Sequence, residues 1–437
     1  MPNNLLPKSL SALRIAVGHD DLTVPYAGGE KVFTAIVEIF PEADVFTSMI
    51  TPEWKSKVSE IRTRSEITTP APNFVLVQDK DRTRSEIAIP ALWDKGSDGR
   101  RIITSFMQKI PAKRRLQKAL FLLYPLAFES LDFSEYDLVI SSSSRFAHGV
   151  VTRPETKHIC YMHSPGRMFW EPNLYFASNP GLGKLLSPIL SYLRLWDHAA
   201  AQRVDQFVAN SKNIARKIKR YYGREALVIY PFVDLDKFQP LAMTRSEIAS
   251  PALRDSHKQL ANDYFLVVTR LESWKRVEIA IEAASEAGAN LKVVGGGSDR
   301  KRLERLAFGP TSHEASRGKK IKFLGSVGDE ELVELYQNCK ALIMTQEEDF
   351  GITSLEAQAC GKPVIAYGAG GVLETVVEGK TGEFFYPQTA EALALVLKKF
   401  DPAKYDSAVC RANAEKFSKE RFQKELLKVV EGVLASK

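Results

Sequence analysis

The sequence predicts an α/β protein built from two parallel-sheet domains in tandem. Its 437 residues are about three times the usual length of one domain, which leaves room for two hydrophobic cores. In both halves, short apolar segments typical of buried strands alternate with segments of helical period. Such alternation is typical of parallel sheets, because each crossover helix returns the chain to the same edge.

Composition supports a folded protein and narrows its class. Hydrophobic residues make up 44% of the chain and charged residues 26%, which excludes a disordered, collagenous or mainly coiled-coil protein. The net charge of +7 is modest for this length, so a dedicated nucleic-acid-binding protein is not expected. The longest strongly apolar stretch, Ala119–Phe128, is about half of a membrane-spanning helix, and the N-terminus lacks the basic region of a signal peptide.

The first half shows the strand and helix alternation from its start. Ser211 is a good N-cap for the helix that we predict to follow it. The predicted strands are Leu13–Val17, Ala43–Thr47, Leu138–Ser141, His158–Met162 and Gln206–Asn210, and the predicted helices are Glu30–Phe40 and Lys212–Tyr222.

The second half repeats the alternation after a proline-containing segment of little periodicity, Tyr230–Asp263. We therefore predict a first domain over residues 1–235 and a second over residues 236–416. The predicted strands are Tyr264–Thr269, Leu291–Val294, Ile321–Leu324, Ala341–Thr345 and Pro363–Tyr367, and the predicted helices are Val277–Ala287 and Glu330–Asn338.

A nine-residue sequence occurs three times in the chain. The copies are Thr63–Ala71, Thr83–Ala91 and Thr244–Ala252, and seven positions are identical in all three. Their irregular spacings of 20 and 161 residues argue against a solenoid. We predict inserted peptides in surface loops, with an insert over about residues 63–100. A repeated partner-binding motif is the alternative.

The cysteines and histidines give no sign of a metal site. No CxxC pair and no cluster with the spacing of metal ligands occurs, so neither a zinc ribbon nor a disulfide framework is expected, and a reducing compartment fits. The four cysteines are Cys160, Cys339, Cys360 and Cys410.

The most informative stretch is Ala341–Gly371, where an acidic loop separates a predicted strand from a predicted helix, Ser354–Cys360. Open α/β sheets bind ligands at the carboxyl ends of their strands. Glu348 and Glu356 are therefore candidate ligand-binding acids. The structural alternatives are a capping box formed by Thr353 and Glu356, and a solvated loop position for Glu348.

A second candidate site is cationic. Arg270 and Lys275 lie five residues apart, directly after the predicted strand Tyr264–Thr269. A guanidinium and an ammonium in this position can converge on one phosphate group. The neighbouring Arg276 is expected to face solvent. A solvated basic loop is the alternative for the whole segment.

Two glycine segments and one histidine also follow predicted strands. Gly28 and Gly29 precede a predicted helix, where backbone can approach an anion closely, although a bare glycine pair is more often just a tight turn. Gly295–Gly297 lacks the G-x-G-x-x-G fingerprint, so NAD or FAD binding is not expected. His163 ends a strand at an exposed loop, whereas His158 is expected to be structural.

One segment has the composition of a membrane-surface helix. Lys109–Phe128 places basic residues ahead of an apolar run with no acid between them, so it can lie on an anionic membrane surface. The alternative is a surface helix that packs Leu116, Leu120 and Leu123 onto the first domain. The nearly uncharged stretch Leu182–Trp196 can extend that surface or belong to the core.

With these motifs, the chain resembles the retaining GT-B glycosyltransferases that use nucleotide-sugar donors (glycosyltransferase family 4, group 1). Glu348 and Glu356 match the E-x7-E signature of that family, with Asp349–Ile352 in the usual loop. The resemblance covers almost the whole chain outside the repeats. It implies two Rossmann-like, doubly wound domains that face a central cleft, and a last helix within residues 417–437 that returns to the first domain.

The resemblance also implies roles for individual residues. Glu356 would hold the ribose, Arg270 and Lys275 the diphosphate, and Glu348 the donor sugar. The implied catalytic residues are His163, Glu348, Arg270 and Lys275, and the implied donor-binding residues are Gly28, Gly29, Gly296, Asp349, Phe350, Gly351, Ile352 and Glu356.

Within the family, the run Leu138–Trp170 and the loop EEDFGI look most like bacterial enzymes of surface-polysaccharide assembly. This implies transfer of mannose from GDP-mannose to a glycan or lipid-linked acceptor by a cytoplasmic enzyme, peripheral on the inner face of the membrane. No metal, other cofactor or nucleic-acid partner is implied. The alternatives are a nucleotide-sugar epimerase or phosphorylase of the same fold, or a non-catalytic nucleotide-sugar binder.

Overall fold

The computed structural model describes residues 10, 13–23, 28–68, 92–95, 101–111, 120–176, 179–241, 263–309 and 320–436. Within these residues, the chain forms two sheets that each carry apolar packing on both faces. The α/β fold class with two parallel-sheet domains is therefore confirmed.

The first sheet contains eight strands: β1 Ile15–His19, β2 Asp44–Thr47, β3 Leu92–Lys95, β4 Arg101–Thr104, β5 Leu138–Ser143, β6 Lys157–Met162, β7 Gln206–Ala209 and β8 Ala226–Val228. Their order is β3-β4-β2-β1-β5-β6-β7-β8. All neighbours are parallel except β3 and β4, which pair antiparallel at one edge.

The described α-helices of this half are α1 Gly28–Ile39, α2 Pro52–Thr68, α3 Tyr124–Glu129, α4 Arg167–Trp170, α5 Pro172–Tyr175, α6 Pro180–Leu185, α7 Ser187–Ala201 and α8 Lys212–Tyr222. The prediction for α8 and its N-cap is confirmed, since Ser211 Oγ accepts a hydrogen bond from the backbone N–H of Ile214. Short 3₁₀ helices occupy Phe106–Lys109 and Leu120–Leu123.

The second sheet contains six parallel strands: β9 Phe265–Val268, β10 Leu291–Val294, β11 Ile321–Gly325, β12 Leu342–Met344, β13 Val364–Tyr367 and β14 Gly382–Phe385. Their order is β11-β10-β9-β12-β13-β14. The described α-helices are α9 Val277–Ala287, α10 Arg300–Phe308, α11 Asp329–Asn338, α12 Ile352–Ala359, α13 Val372–Thr375, α14 Ala390–Lys399, α15 Ser407–Glu415 and α16 Lys419–Ala435.

Alternate side chains of each strand enter different cores. On β1, Val17 joins the core that contains α1, whereas Ala16 joins the core that contains α3 and α7. The last helix, α16, buries Phe422 and Leu426 in the same core as Val17. The chain therefore passes from the first half to the second after β8 and returns to the first half before α16.

The first copy of the repeated sequence is not wholly in a loop. Helix α2 continues to Thr68 and includes the first six residues of Thr63–Ala71, so the loop prediction is wrong for this part. Helix formation there agrees with the residue types Arg, Ser, Glu and Ile, none of which breaks a helix. The copies Thr83–Ala91 and Thr244–Ala252 lie outside the described residues.

No helix of the described residues is long and apolar enough to cross a membrane. The same residues contain no group of three or more histidine, cysteine, aspartate or glutamate side chains placed to hold a metal ion.

Candidate active site

The predicted site residues of the second half gather at the carboxyl edge of its sheet. The acidic loop follows β12, and Arg270 and Lys275 follow β9, the neighbouring strand. Adjacent parallel strands end at the same edge. Lys275 and Glu348 therefore meet although they are 73 residues apart in the sequence.

Lys275 and Glu348 form a buried ion pair at this edge. Lys275 Nζ lies 2.5 Å from Glu348 Oε1, and Gln346 Nε2 donates to the same oxygen at 2.5 Å. Burial alone would raise the pKa of Glu348, but Lys275 and then Arg167 outweigh it and hold that pKa below its ordinary value. Glu348 is therefore a carboxylate at neutral pH, and its other oxygen can accept hydrogen bonds from vicinal hydroxyls.

Arg270 is the exposed member of the cationic pair. It lies near enough for its positive charge to act on Lys275, and it has no ion pair with any of the described residues. Arg276, expected to face solvent, is 39% exposed in its side chain and pairs with Glu278 at 2.8 Å. Arg270 is thus the cation of this loop that is left available to an anionic ligand.

Glycines after β10 hold the cationic loop in place. A Cβ at Gly295, where φ is 125°, would lie 1.9 Å from the carbonyl oxygen of Thr269, and a Cβ at Gly297 would lie 2.2 Å from that of Leu271. The Leu271 N–H donates to the carbonyl oxygen of Gly296 at 2.9 Å. The two backbones therefore touch, and a side chain at either outer glycine would push them apart.

Replacing Gly295 with alanine is expected to lower the free energy of unfolding by about 2–4 kcal/mol, through backbone strain and the clash with Thr269. Urea unfolding measures this effect. The matched control is Gly432→Ala in α16, where nothing lies within 4 Å of an added Cβ and about 0.5–1 kcal/mol should be gained. Equal stability of the two variants would contradict the close approach at Gly295.

Glu356 lies where the two halves of the cleft adjoin. Its Oε1 accepts a hydrogen bond from Lys31 Nζ of α1 at 3.0 Å, and its Oε2 accepts one from the Tyr336 hydroxyl at 3.0 Å. A Cβ at Gly28 would lie 3.8 Å from Ile352 Cγ2. The first turns of α1 and α12 are therefore neighbours. Glu356, which the resemblance predicts to bind the ribose, contacts a cation of the first half.

Two local predictions at these helix starts are wrong. The N-cap of α12 is Gly351 at φ 89°, and no side chain caps the helix. Thr353 lies within the first turn, so it forms no capping box with Glu356. Likewise, Gly28 and Gly29 form the first turn of α1 and not a loop ahead of it.

Asp349 directs its carboxylate to the first half of the chain. Its Oδ2 lies 2.5 Å from Arg167 Nη2, and its Oδ1 lies 3.3 Å from Lys217 Nζ. Ser211 Oγ donates to its carbonyl oxygen at 2.6 Å. Burial would raise the pKa of Asp349, but Arg167 and Lys217 outweigh it and hold the pKa below its ordinary value. Asp349 therefore joins the two halves.

Glu374 of α13 makes a further contact between the halves. Its carboxylate accepts hydrogen bonds from the backbone N–H groups of Lys212 at 2.8 Å and Asn213 at 3.0 Å. These N–H groups lie in the first turn of α8 and so have no acceptor within the helix itself. A negative charge is favourable at this end of a helix.

The side chain of Phe350 belongs to the core and not to the cleft. It is 4% exposed and lies between Tyr230 and Phe417, with ring centroids 5.9 Å from each. Of the predicted donor-binding segment Phe350–Ile352, the backbone is thus the part that a donor can use.

His163 follows β6, as the sequence predicted, and faces the start of α1. A Cβ at Gly29 would lie 3.7 Å from His163 Nε2, which is 2.9 Å from Ser142 Oγ. Burial, and then the neighbouring His19, lowers the pKa of His163 to about 3. The ring is therefore neutral at pH 7 and can orient a hydroxyl without carrying charge.

Three cations of the cleft were missed by the sequence analysis: Lys31, Arg167 and Lys217. Arg167 also lies over the ring of Trp274, 4.5 Å from its centroid. The signal that could have identified Lys31 and Arg167 is local, because each lies within four residues of a predicted site residue, Gly29 or His163. No predicted site residue lies near Lys217 in the sequence. A lysine within a helix is ordinarily expected to face solvent.

Two family models match the chain in the regions that form this cleft. The model described as Glycosyltransferase Family 4 matches residues 28–237, and the model described as Glycosyl transferases group 1 matches residues 251–417.

Similar curated proteins are glycosyltransferases. A D-inositol 3-phosphate glycosyltransferase of Geodermatophilus obscurus is 31% identical over 47% of this chain and 44% of its own length. The α-1,3/1,6-mannosyltransferase ALG2 of Dictyostelium discoideum is 27% identical over 66% of this chain and 71% of its own length. The chain thus spans less than half of the first of these relatives.

Solved structures show the same fold. HepE of Anabaena, crystallised with UDP and glucose, has a TM-score of 0.60 at 18% identity and covers 96% of this chain and 99% of its own. Sucrose-phosphate synthase of Thermosynechococcus elongatus has a TM-score of 0.64 at 17% identity and covers 97% of this chain and 100% of its own. The two family models, together with the E-x7-E loop at the cleft, assign the chain to the group 1 glycosyltransferases of family 4, and the solved structures show the GT-B fold.

Proposed function

We propose that the protein transfers a sugar from a nucleotide diphosphate sugar to an acceptor hydroxyl, with retention of configuration at the anomeric carbon. The observation that carries this proposal is the buried Lys275–Glu348 ion pair, with the charge of Arg270 acting on Lys275. Glu356 lies on the helix that follows the same acidic loop and contacts Lys31 of the first half. Two cations there suit a diphosphate, and two carboxylates suit sugar and ribose hydroxyls. HepE, a structural neighbour, was solved with UDP-glucose.

In the proposed reaction, the bond between the anomeric carbon and the phosphate oxygen breaks, and its electron pair leaves with the nucleoside diphosphate. Arg270 and Lys275 stabilise the negative charge that develops on that group. The acceptor oxygen bonds to the anomeric carbon from the face that the diphosphate vacates, and the acceptor proton passes to a leaving phosphate oxygen. No enzyme nucleophile is needed, and two side-chain cations make a metal unnecessary.

For the donor we propose GDP-mannose, supported by the similarity to the mannosyltransferase ALG2. UDP-glucose is the rival donor, because HepE is described with it. For the acceptor we propose a glycan or lipid-linked glycan of polysaccharide biosynthesis. A cytoplasmic location is proposed as well, which agrees with four cysteines that are buried and unpaired in the described residues.

A panel of nucleotide sugars, with and without acceptor glycans, tests the proposed activity. A retaining transferase is supported if release of nucleoside diphosphate requires an acceptor and if NMR shows the same anomeric configuration in the product as in the donor. Turnover without an acceptor indicates an epimerase, and turnover that requires inorganic phosphate indicates a phosphorylase. A thermal shift without product indicates a non-catalytic binder. Activity that disappears in EDTA would contradict metal independence.

We also propose that the first half binds an anionic membrane surface. Leu120 and Leu123 of the predicted segment Lys109–Phe128 pack partly onto the first-half core, as the structural alternative expected, and residues 112–119 lie outside the described residues. However, Leu126 is 51% exposed. The stretch Leu182–Trp196 forms parts of α6 and α7.

Helices α6 and α7 add an apolar face to this surface. Leu185, Tyr192 and Leu195 are 76%, 65% and 73% exposed. Asp197, the acid of these two helices, is fully buried, so α6 and α7 themselves present no negative charge to a headgroup. Trp196 Nε1 donates to Glu129 Oε1 at 2.8 Å, which places α7 beside α3 and its exposed leucine. Apolar side chains of such a face can enter the acyl layer of a membrane, directly below its anionic headgroups.

The double variant Leu185→Ser and Leu195→Ser is expected to bind phosphatidylglycerol vesicles at least about tenfold more weakly, because two leucines no longer enter the apolar layer. Vesicle co-sedimentation measures this change. Leu373→Ser serves as the control, because it makes the same substitution at an exposed leucine of the second half. Leu373 is 47% exposed. Unchanged binding of the double variant would refute this face. Dissociation of a dimer by the same substitutions, seen in sedimentation velocity, would assign the face to self-association.

A further inference from the structure

Three consecutive serines at the end of β5 each bond a different histidine. Ser141 Oγ lies 2.8 Å from Nε2 of His158, Ser142 Oγ lies 2.9 Å from Nε2 of His163, and Ser143 Oγ lies 3.2 Å from Nδ1 of His148. All three serines are fully buried. Because side chains alternate along a strand, Ser142 faces the opposite side of the sheet from its two neighbours.

Within the part of the chain that the structure describes, Ser142 is the one of these three serines that is shared between two rings. Its hydroxyl also lies 3.1 Å from Nδ1 of His19, the last residue of the adjacent strand β1. His19 is 3% exposed, and its ring contacts Phe33 at a centroid distance of 5.0 Å. The three side chains therefore form a continuous polar chain from β1 through β5 to the residue after β6.

A single hydroxyl proton limits how this chain can be arranged. A serine hydroxyl donates one hydrogen bond and accepts others. If Ser142 donates to His163 Nε2, it accepts from Nδ1–H of His19, and His163 then carries its own proton on Nδ1. If Ser142 donates to His19 Nδ1, it accepts from Nε2–H of His163. In either arrangement, two rings that each hold a single proton carry it on the nitrogen of the same name.

This coupling reaches the cleft through the second nitrogen of His163. Nδ1 of His163 has no hydrogen-bond partner among the described residues, and the residue is partly exposed. In the first arrangement this nitrogen offers an N–H donor to a bound hydroxyl, and in the second it offers a lone pair. Which of the two a sugar meets is thus coupled, through Ser142 of β5, to the tautomer of His19 on β1.

We propose that Ser142 and His19 are positioning residues that fix the ring orientation and the tautomer of His163, and so decide whether His163 donates to or accepts from a sugar hydroxyl. The proposal rests on the proposed glycosyltransferase function for its kinetic consequence. Its structural part, the coupling of the two tautomers, does not depend on that function.

The first test measures the tautomers directly in the full-length protein. Long-range ¹H–¹⁵N NMR of histidine rings distinguishes Nδ1–H from Nε2–H. We expect His19 and His163 to have the same tautomer in the unsubstituted protein, and Ser142→Ala to abolish that match or leave mixed tautomers. Ser141→Ala is the matched control, because it removes an equally buried serine–histidine bond on the same strand without touching His163. Opposite tautomers in the unsubstituted protein would refute the coupling.

The second test is kinetic. We expect Ser142→Ala to lower kcat about tenfold or more while the donor KM changes less, and Ser142→Thr, which keeps a hydroxyl, to recover most of the loss. Ser141→Ala should leave kcat near that of the unsubstituted protein. Unchanged kcat in Ser142→Ala would overturn the positioning role. If the unsubstituted protein releases no nucleoside diphosphate from any donor, the proposed function fails, whereas the NMR test still decides the coupling.

Discussion

Replacing Arg270 with alanine should lower nucleoside diphosphate release about 10²–10³-fold, the loss typical of removing one group that stabilises charge in a transition state. The guanidinium is exposed and lies beside Lys275, which is already paired with Glu348. Its removal deprives the leaving diphosphate of a cation and breaks no ion pair with the described residues. The thermal midpoint should therefore stay within about 2 °C of the unsubstituted value.

Two further variants make the Arg270 result specific. Arg270→Lys keeps the charge but loses the fork of donors, so it should recover only part of the activity. Arg276→Gln removes a neighbouring cation that is engaged with Glu278, and turnover should change by less than about threefold. If Arg276→Gln and Arg270→Ala reduced turnover equally, general loss of positive charge would explain the effect and the assigned role of Arg270 would be wrong.

Replacing Asp349 with alanine should lower the free energy of unfolding by about 3–5 kcal/mol, because it leaves the poorly exposed Arg167 without its carboxylate. Lys217 keeps Glu171, whose Oε1 lies 2.6 Å from its Nζ. The side chains of Arg167 and Lys217 are each 16% exposed. Urea unfolding followed by circular dichroism measures the change. Glu347→Ala is the control, since Glu347 is the exposed acid two positions earlier and should cost less than about 0.5 kcal/mol.

The Asp349 carboxylate also makes the stability of the folded protein depend on pH in the acid range. The folded-state pKa of Asp349 is held low, burial notwithstanding, by Arg167 and Lys217. Its contribution is therefore complete above the unfolded pKa of about 3.9 and is lost as the pH falls through the folded value. Stability of the unsubstituted protein should fall more steeply below about pH 4 than that of Asp349→Asn. If Asp349 instead binds the donor, its variants would raise the donor KM and leave unfolding unchanged.

The parts of the structure that depend on local pattern could be predicted from the sequence. Helices α8 and α9 and strand β10 have the predicted bounds, because each has clear periodicity and a recognisable start or end. The meeting of Lys275 with Glu348 also follows from pattern, since both come directly after buried parallel strands. Strands β3, β4, β8 and β14 were missed. Three of them, β3, β8 and β14, lie at the edges of their sheets, where a strand needs no continuous apolar run to mark it in the sequence.

The contacts between the halves could not be predicted in this way. Lys31 and Glu356 are 325 residues apart, and Arg167 and Asp349 are 182 apart. Nothing in a local window indicates that a lysine in one helix will neutralise a glutamate in another domain. The capping box failed for a related reason: a glycine in the left-handed region begins α12, and Glu356 serves a distant lysine and tyrosine instead of its own helix end.

The backbone crosses between the halves twice, and the two crossings run side by side. The Val233 N–H donates to the carbonyl oxygen of Phe417 at 3.0 Å, and Arg421 Nη2 donates to the carbonyl oxygen of Tyr230 at 2.5 Å. Two crossing segments that are hydrogen-bonded to each other form a seam between the halves. This seam should permit rotation about its own axis and resist twisting or sliding of one half against the other. We therefore expect the cleft to widen by rotation about this seam, and cutting the chain before Phe417 would remove one of the two crossings and a layer of the first hydrophobic core.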